Sequence, residues 1–313
     1  MIADSQALGI AGIGVYLPVE GVSNFARMNQ FEVDERFINE KLGVRRTLVK
    51  DADEATSDLA VRAVRALEAG SAIDLAAVEC LIVVTQNPDY NLPHTAAIVH
   101  GKLGLPERCA AFDISLGCSG WVYGLSVINA FMAQNGMQSG LLVTADPYSK
   151  IVDPNDKNTV MLFGDAAAAT WIHTAPRFCS GRFTFGTIGA DYEHLICRNG
   201  QLSMNGRGIF DFAARRVPED IRLLLEMNQV AIEDVDRFLL HQGSRYMLRT
   251  IAARLHVAEE RAAFVAAEYG NTVSSSIPIM LAEMLDDATV RTVVVSGFGV
   301  GLSWSSGILH RVA

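Results

Sequence analysis

No apolar run in this 313-residue chain approaches the roughly 20 residues that a membrane-crossing helix needs. Cysteine is scarce: Cys80, Cys109, Cys118, Cys179 and Cys197 form neither a metal-binding pair nor an even disulfide framework. Lysine- or arginine-rich runs are also missing, and the formal net charge is -9, which argues against general nucleic-acid binding. Met1 to Val15 has no basic region and carries Asp4, so it does not read as a signal peptide. The expectation is a cytoplasmic protein without membrane or nucleic-acid partners, whose cysteines are mostly small buried apolar residues. His94 and His100 have no cysteine near them, so no metal site is expected. The glycines of Gly9 to Gly14 miss the G-x-G-x-x-G spacing, and Tyr16-Leu17-Pro18 follows where a helix should begin, which excludes a dinucleotide loop.

Half of the residues are apolar and only 9 are proline, which suits a compact α/β chain about two domain-sized units long. Strand-like runs at Leu8–Val15, Cys80–Thr85, Ala110–Ile114, Gly140–Thr144 and Ala166–Ile172 alternate with helical patterns around 59–67, 95–103 and 119–135. The second half follows suit, with helices near 217–225, 245–255 and 275–285 and strands at 236–241, 293–296 and 303–309. Such alternation predicts a sheet covered on both faces. DLAAVECLIVVTQ and AIEDVDRFLLHQ echo each other, as the two members of a pseudo-repeat would.

Three residues invite a chemical reading. Cys118 sits in AAFDISLGCSGWVYGL, where small residues permit a tight strand-to-helix turn that exposes the thiol, and a helix N-terminus favours the thiolate. His241 ends the strand RFLLH, and sites in α/β sheets are built at carboxyl strand ends. Asn271 occupies a glycine turn in EYGNTVSSSIP, with Ser275 or Ser276 starting the next helix. Taken singly, a buried cysteine, a structural histidine and a turn asparagine explain each one. Taken together they also match the generic Cys-His-Asn set of thiol hydrolases.

The segments DISLGCSGWVYGL, FLLHQ, YGNTVSSSIP and GFGVGLSWSSGIL resemble, in order and spacing, the active-site segments of the β-ketoacyl-acyl carrier protein synthase III family. GIGVYLP, LGVRR, LPHTAA, DPNDKNT and LFGDAAAA extend the resemblance nearly end to end. It implies a thiolase-like α/β fold of two pseudo-repeated halves, residues 1–175 and 176–313, stacked as five αβαβα layers in a homodimer. The implied reaction is acyl transfer to Cys118 from a coenzyme A or carrier-protein thioester, then decarboxylative condensation with a malonyl-carrier protein. These thioesters are substrates, and no resident cofactor is implied. The resemblance assigns an enolate hole to His241 and Asn271, an oxyanion hole to the backbone N–H groups of Cys118 and Val300, and a place beside the malonyl carboxylate to Phe298.

Several positions depart from the family pattern. Val300 replaces a glycine; a β-branched residue there calls for negative φ. Phe37 and Lys157 stand where a tryptophan and an arginine often clamp adenine, and lysine lacks the stacking guanidinium. In the carrier-protein patch, Asp211 and Tyr246 replace basic residues, leaving Arg245, Arg249 and Arg254. Leu92 stands for a partner-subunit phenylalanine that closes the acyl pocket, so a longer or branched acyl group is admissible. Rival readings are acyl transfer to an oxygen or nitrogen acceptor, thioester hydrolysis, and an inactive partner subunit. Asn271 argues against simple acyl transfer, and the complete Cys-His-Asn set argues against an inactive subunit.

Overall fold

The computed structural model describes residues 7–312; the Asp4 of the leader argument lies outside the described residues. The first half runs β1 (Gly9–Tyr16), β2 (Gly21–Ser23), α1 (Met28–Phe31), β3 (Arg46–Leu48), α2 (Thr56–Gly70), β4 (Cys80–Val84), α3 (Thr95–Leu103), β5 (Ala110–Ile114), α4 (Gly120–Asn135), β6 (Ser139–Ala145), α5 (Lys157–Val160) and β7 (Ala167–His173). The second runs β8 (Phe178–Thr187), β9 (Leu195–Arg198), β10 (Gln201–Met204), α6 (Gly206–Asn228), β11 (Arg237–Leu240), α7 (Arg245–Leu255), α8 (Ser276–Glu283), β12 (Thr292–Gly299) and β13 (Ser303–Arg311).

Nine strands form one mixed sheet in the order β11-β12-β13-β8-β1-β7-β6-β4-β5. Within it, β5-β4-β6-β7-β1 and β11-β12-β13-β8 repeat one winding: the first strand of each half lies beside the last. Within the sheet the halves are joined by the pairs Gly9↔Cys179 and Ile10↔Phe178. From this repeat we infer the division at residues 175/176, in the connection between β7 and β8. Among the described residues the second half has no strand in the place of β5. There the Gln242 carboxamide accepts from the Val265 N–H at 2.8 Å and donates to Leu240 O at 2.9 Å, so a side chain satisfies backbone that a strand would otherwise pair.

Burial sorts the helices into layers. In α2, apolar spacing buries Leu59, Ala60, Ala63, Val64 and Leu67, and Asp58 returns a bond to the Ala55 N–H at 2.9 Å. That one-sided pattern lays α2 over β1, β7 and β6, with α3 on β4 and β5. By contrast α4 is apolar nearly all round, with Trp121, Val122, Leu125, Ile128 and Met132 fully buried. It packs between β4 and β6 on one side and β12 and β13 on the other; α8 likewise touches β1 and β7 as well as β11 and β12. Both are therefore middle-layer helices, and α6 and α7 cover the far face. Cys118 precedes α4 and Asn271 precedes α8, so the repeat delivers both to the same seam.

The sequence pattern did not predict β8. Gly181 and Arg182 break its alternation, but pairing with β13 along most of its length and with β1 at its start makes it a strand, a tertiary override of local preference. The β9–β10 hairpin was likewise unforeseen. Among the described residues no helix is long and apolar enough to cross a membrane.

One buried side chain ties the β2–β3 region to the loop that carries Leu162 and Phe163 toward the seam between the halves. Asn24 is fully buried; its Nδ2 donates to Val44 O at 3.0 Å and Met161 O at 2.7 Å, and Oδ1 accepts from Arg27 at 2.9 Å. Replacing Asn24 by alanine strands two buried carbonyls and should cost about 2 kcal/mol, read as a lower urea midpoint. An unchanged midpoint would show that these carbonyls find other partners.

Candidate active site

Cys118 lies where β5 leads through Gly117 into α4, with the Gly120 N–H bonded to Gly117 O at 2.7 Å. The end of β12 is pressed against it: a Cβ on Gly299 would stand 2.7 Å from the Cys118 sulfur, so only glycine lets the strand approach this closely. The thiol is not exposed at a surface turn as expected. It is 4% exposed, at the end of a cavity of about 670 Å³ that also takes in His241, Asn271, Phe298, Phe37 and Lys157.

The expected thiolate-favouring helix terminus does not dominate. Burial pushes the Cys118 thiol up to about 12, the Val300 and Cys118 backbone N–H groups oppose this, and buried Asp146 adds to it. Cys118 precedes the helix, whose N-cap is Ser119. There the helix terminus and the two N–H groups favour the thiolate, and desolvation opposes them with the larger effect. The two opposing N–H groups are those expected to form the oxyanion hole. Val300 is not among the non-glycine residues with positive φ; Gly301 takes that conformation at φ 137°. Ser303 Oγ, 2.7 Å from Ser119 Oγ, donates to Val300 O at 3.0 Å and ties that peptide to the Cys118 turn.

His241 continues β11, its N–H donating to Ser296 O at 2.8 Å. Its Nδ1 lies 2.9 Å from Ser276 Oγ and its Nε2 lies 3.3 Å from Asn271 Nδ2. The Val273 N–H donates to Asn271 Oδ1 at 2.9 Å, which fixes the amide with its NH₂ toward His241. Burial lowers the imidazole to about 3, with Val273 opposing, so His241 is neutral across the working range. The Phe298 ring meets it edge-on, centroids 5.6 Å apart. Asn271 is anchored by backbone bonds to Leu162 O at 2.8 Å and from the Gly164 N–H at 3.0 Å. Sequence reasoning gave Ser276 no role beyond helix initiation, and nothing in it flagged Val273.

Toward the mouth, Phe37 lies between two ammonium groups, with Lys41 Nζ at 5.7 Å and Lys157 Nζ at 5.8 Å from its centroid. Beyond it, a cleft is lined by Arg36, Lys41, Arg249 and Arg254. Arg249 pairs with Glu259 at 3.1 Å, and Arg254 donates to Ala214 O at 3.0 Å. Arg245 does not join them. Its guanidinium lies over Phe264 at 5.3 Å, because its place on α7 turns it away from the cleft. Arg36, Lys41 and Arg207 supply cations at the two cavities that the sequence reading missed. Asp211 faces Arg207 at 3.8 Å, and Tyr246 stacks on Phe210 with centroids 5.3 Å apart. Leu92 is 86% exposed and lines neither cavity. Of the other cysteines, Cys80 and Cys109 are buried, Cys179 is half-buried, and Cys197 is exposed against expectation.

Behind Cys118, buried Asp146 accepts from the Gln86 N–H and from Asn87 Nδ2, both at 3.0 Å. Burial raises this carboxyl from 3.8 to about 7. The folded state therefore holds a proton that the unfolded chain releases near its ordinary value. That stabilisation is complete below about pH 4 and is lost as pH rises through about 7. Asp146→Asn keeps both bonds without the titration. Its melting temperature relative to wild type should climb between pH 5 and pH 7 and then level off; a flat difference would place the proton elsewhere.

Comparison with known proteins gives one result. The family model described as 3-Oxoacyl-[acyl-carrier-protein (ACP)] synthase III matches residues 112–189, and its C-terminal counterpart matches residues 225–311. The Beta-ketoacyl-[acyl-carrier-protein] synthase III of Streptococcus sanguinis (strain SK36) is 33% identical over 322 residues, covering 96% of this chain and 98% of that protein. The protein of the same name from Lactococcus lactis subsp. cremoris (strain MG1363) is 31% identical over 315 residues, covering 94% and 96%. The crystal structure of the β-ketoacyl-[acyl carrier protein] synthase III from Thermus thermophilus superposes with a TM-score of 0.90 at 31% identity, covering 97% of this chain and 99% of that one.

Proposed function

The chain belongs to the β-ketoacyl-[acyl-carrier-protein] synthase III family, and we propose that Cys118, His241 and Asn271 divide its two half-reactions between them. It is an acyl-transferring condensing enzyme of the 3-oxoacyl synthase III type. One observation carries the assignment of roles: a buried thiol shares one cavity with two neutral nitrogen groups and an apolar ring. In acyl loading, the Cys118 S–H proton passes to His241 Nε2 as sulfur attacks the thioester carbonyl. The Cys118 and Val300 N–H groups hold the oxyanion, and the departing thiol takes the proton back. The thiolate thus exists only during attack, which suits a thiol that burial keeps protonated at rest.

In condensation, the malonyl thioester loses carbon dioxide and charge moves onto its carbonyl oxygen. Two neutral donors, His241 Nε2–H and Asn271 Nδ2–H, suit that oxygen, whereas a carboxylate would repel it. Phe298 offers the malonyl carboxylate an apolar face, against which loss of charge is favoured. The enolate carbon then attacks the acyl-cysteine and frees the thiolate, which is reprotonated. The donor in this reading is an acyl-coenzyme A or acyl-carrier protein and the extender a malonyl-carrier protein. Arg36, Lys41, Lys157 and Arg207 around the mouth favour phosphate-bearing, acidic substrates. The chemistry needs no resident cofactor and suits a cytoplasmic enzyme.

We read the working species as a homodimer. β5 is an edge strand of mostly apolar residues, none fully buried, and an apolar unpaired edge asks for a partner. Exposed Tyr90 and Leu92 precede α3, which packs on β5, as expected of a segment reaching a partner's pocket.

Asn271→Ala should still take an acyl group on Cys118, seen as a mass increase on that peptide alone. Carbon dioxide release from malonyl-carrier protein should fall about 10²–10³-fold. Condensation at near wild-type rate would instead favour transfer to an oxygen or nitrogen acceptor. Sedimentation should show a dimer; a fully active monomer would remove Leu92 from the acyl pocket.

A further inference from the structure

The Cys118 turn is walled on one side by polar groups that the two half-reactions leave unused. Gly117 stands just before Cys118. A Cβ on it would lie 2.5 Å from Gln86 Oε1, 2.9 Å from Val300 Cγ1 and 3.3 Å from the Tyr148 hydroxyl. Tyr148 donates to Gln86 Oε1 at 3.2 Å, so the phenol and the amide form one unit against bare backbone. Tyr148 is 2% exposed, and its ring lies 4.7 Å from that of Phe163, a wall of the catalytic cavity. Gln86 stands just beyond β4, where its N–H donates to buried Asp146 at 3.0 Å. Both side chains therefore start from fixed backbone or a fixed ring.

The unit keeps hydrogen-bonding capacity in reserve. Tyr148 gives its proton to Gln86, which leaves its oxygen free to accept. Gln86 Nε2 meets no acceptor among the described residues, and in this half-buried side chain it is not sealed from water. One donor and one acceptor thus stand side by side next to the thiol. Turning the amide over exchanges the two roles and leaves the same pair. A hydroxyl is the smallest group that accepts from one and donates to the other. A methyl leaves both unpaired, and a carboxylate has no proton to donate.

On the roles given to Cys118, His241 and Asn271 above, the other directions from the sulfur are taken. The thioester oxygen lies toward the Cys118 and Val300 N–H groups, and the malonyl group toward His241, Asn271 and Phe298. The departing thiol leaves toward Phe37 and Lys157, so the acyl chain is left the side of Gly117. We propose that Gln86 and Tyr148 are specificity residues that select a short acyl group bearing a hydroxyl for transfer to Cys118. The inference rests on the proposed loading of Cys118 and narrows its donors to hydroxyacyl thioesters. A plain acyl chain there would leave a desolvated donor and acceptor unpaired, which is how a polar site rejects an apolar analogue.

The test compares acyl groups on one thiol. Wild-type enzyme is offered acetyl, butyryl, 2-hydroxybutyryl and 3-hydroxybutyryl thioesters, each on coenzyme A and on carrier protein, and the mass gain on Cys118 is timed. At least one hydroxybutyryl thioester should load roughly tenfold or more faster than butyryl, in kcat/KM. Gln86→Leu should bring that ratio to about one, and its own butyryl loading shows that it folds. Tyr148→Phe keeps the ring against Phe163 and should lower the ratio roughly threefold or more; it decides the matter if Gln86→Leu does not fold. Butyryl loading as fast as both hydroxybutyryl thioesters, loading of acetyl alone, or a ratio that a folded variant leaves unchanged would overturn the proposal. Wild-type enzyme that gains no mass on Cys118 from any of these thioesters would instead overturn the functional reading on which it stands.

Discussion

Desolvation at the seam between the two halves is the constraint on which the rest of the structure depends. Cys118, His241 and Asn271 are all nearly inaccessible, and burial drives the first two toward their neutral forms, the thiol up and the imidazole down. A site that excludes water strengthens each dipole aimed into it, and it also disfavours a resting thiolate–imidazolium pair. On the roles proposed above, the chemistry proceeds through transient charge, stabilised where backbone or amide N–H groups already point.

The fold supplies that aim through rigid parts. The apolar middle helices α4 and α8 cannot shift without opening the core, and the two reactive turns precede them. β12 reaches Cys118 because Gly297 and Gly299 carry no side chain, with a Cβ at Gly297 falling 2.6 Å from Cys118 O. The Ser119–Ser303–Val300 chain then holds the Val300 peptide against the Cys118 turn. Val273, at φ 53°, accepts backbone strain where its N–H serves Asn271 and its carbonyl serves Ser276, which is where strain is tolerated in folded chains.

The mouth follows different physics. Its cations, among them Arg36 and Arg207, are largely exposed, so their interactions are long-ranged and salt-sensitive rather than geometrically exact. Phe37 between two lysines offers a charged aromatic platform instead of a planar guanidinium stack. On the function proposed above, such a surface serves to gather acidic, phosphate-bearing groups and leaves discrimination to the buried end.

By itself the sequence determined the alternating elements, because apolar periodicity is a local property: α3, β5 and α7 have the bounds the pattern predicts. It also singled out Cys118, His241 and Asn271, which the fold brings to one cavity, since the segments around them are short and distinctive. β8 escaped because a strand broken by glycine and arginine is made by its neighbours. The exposure of Cys118 was misjudged because helix position is visible in a sequence, whereas depth of burial is not. Arg245 was grouped with Arg249 and Arg254 because sequence shows charge but not which way a helix turns it. Ser276 and Val273 stayed hidden for the same kind of reason: a serine at a helix start and a valine in a turn look ordinary until folding carries His241, 35 residues away, to within a hydrogen bond. Residue types and periods belong to the chain; direction, depth and partnership belong to the tertiary structure, which alone decides what stands between a group and water.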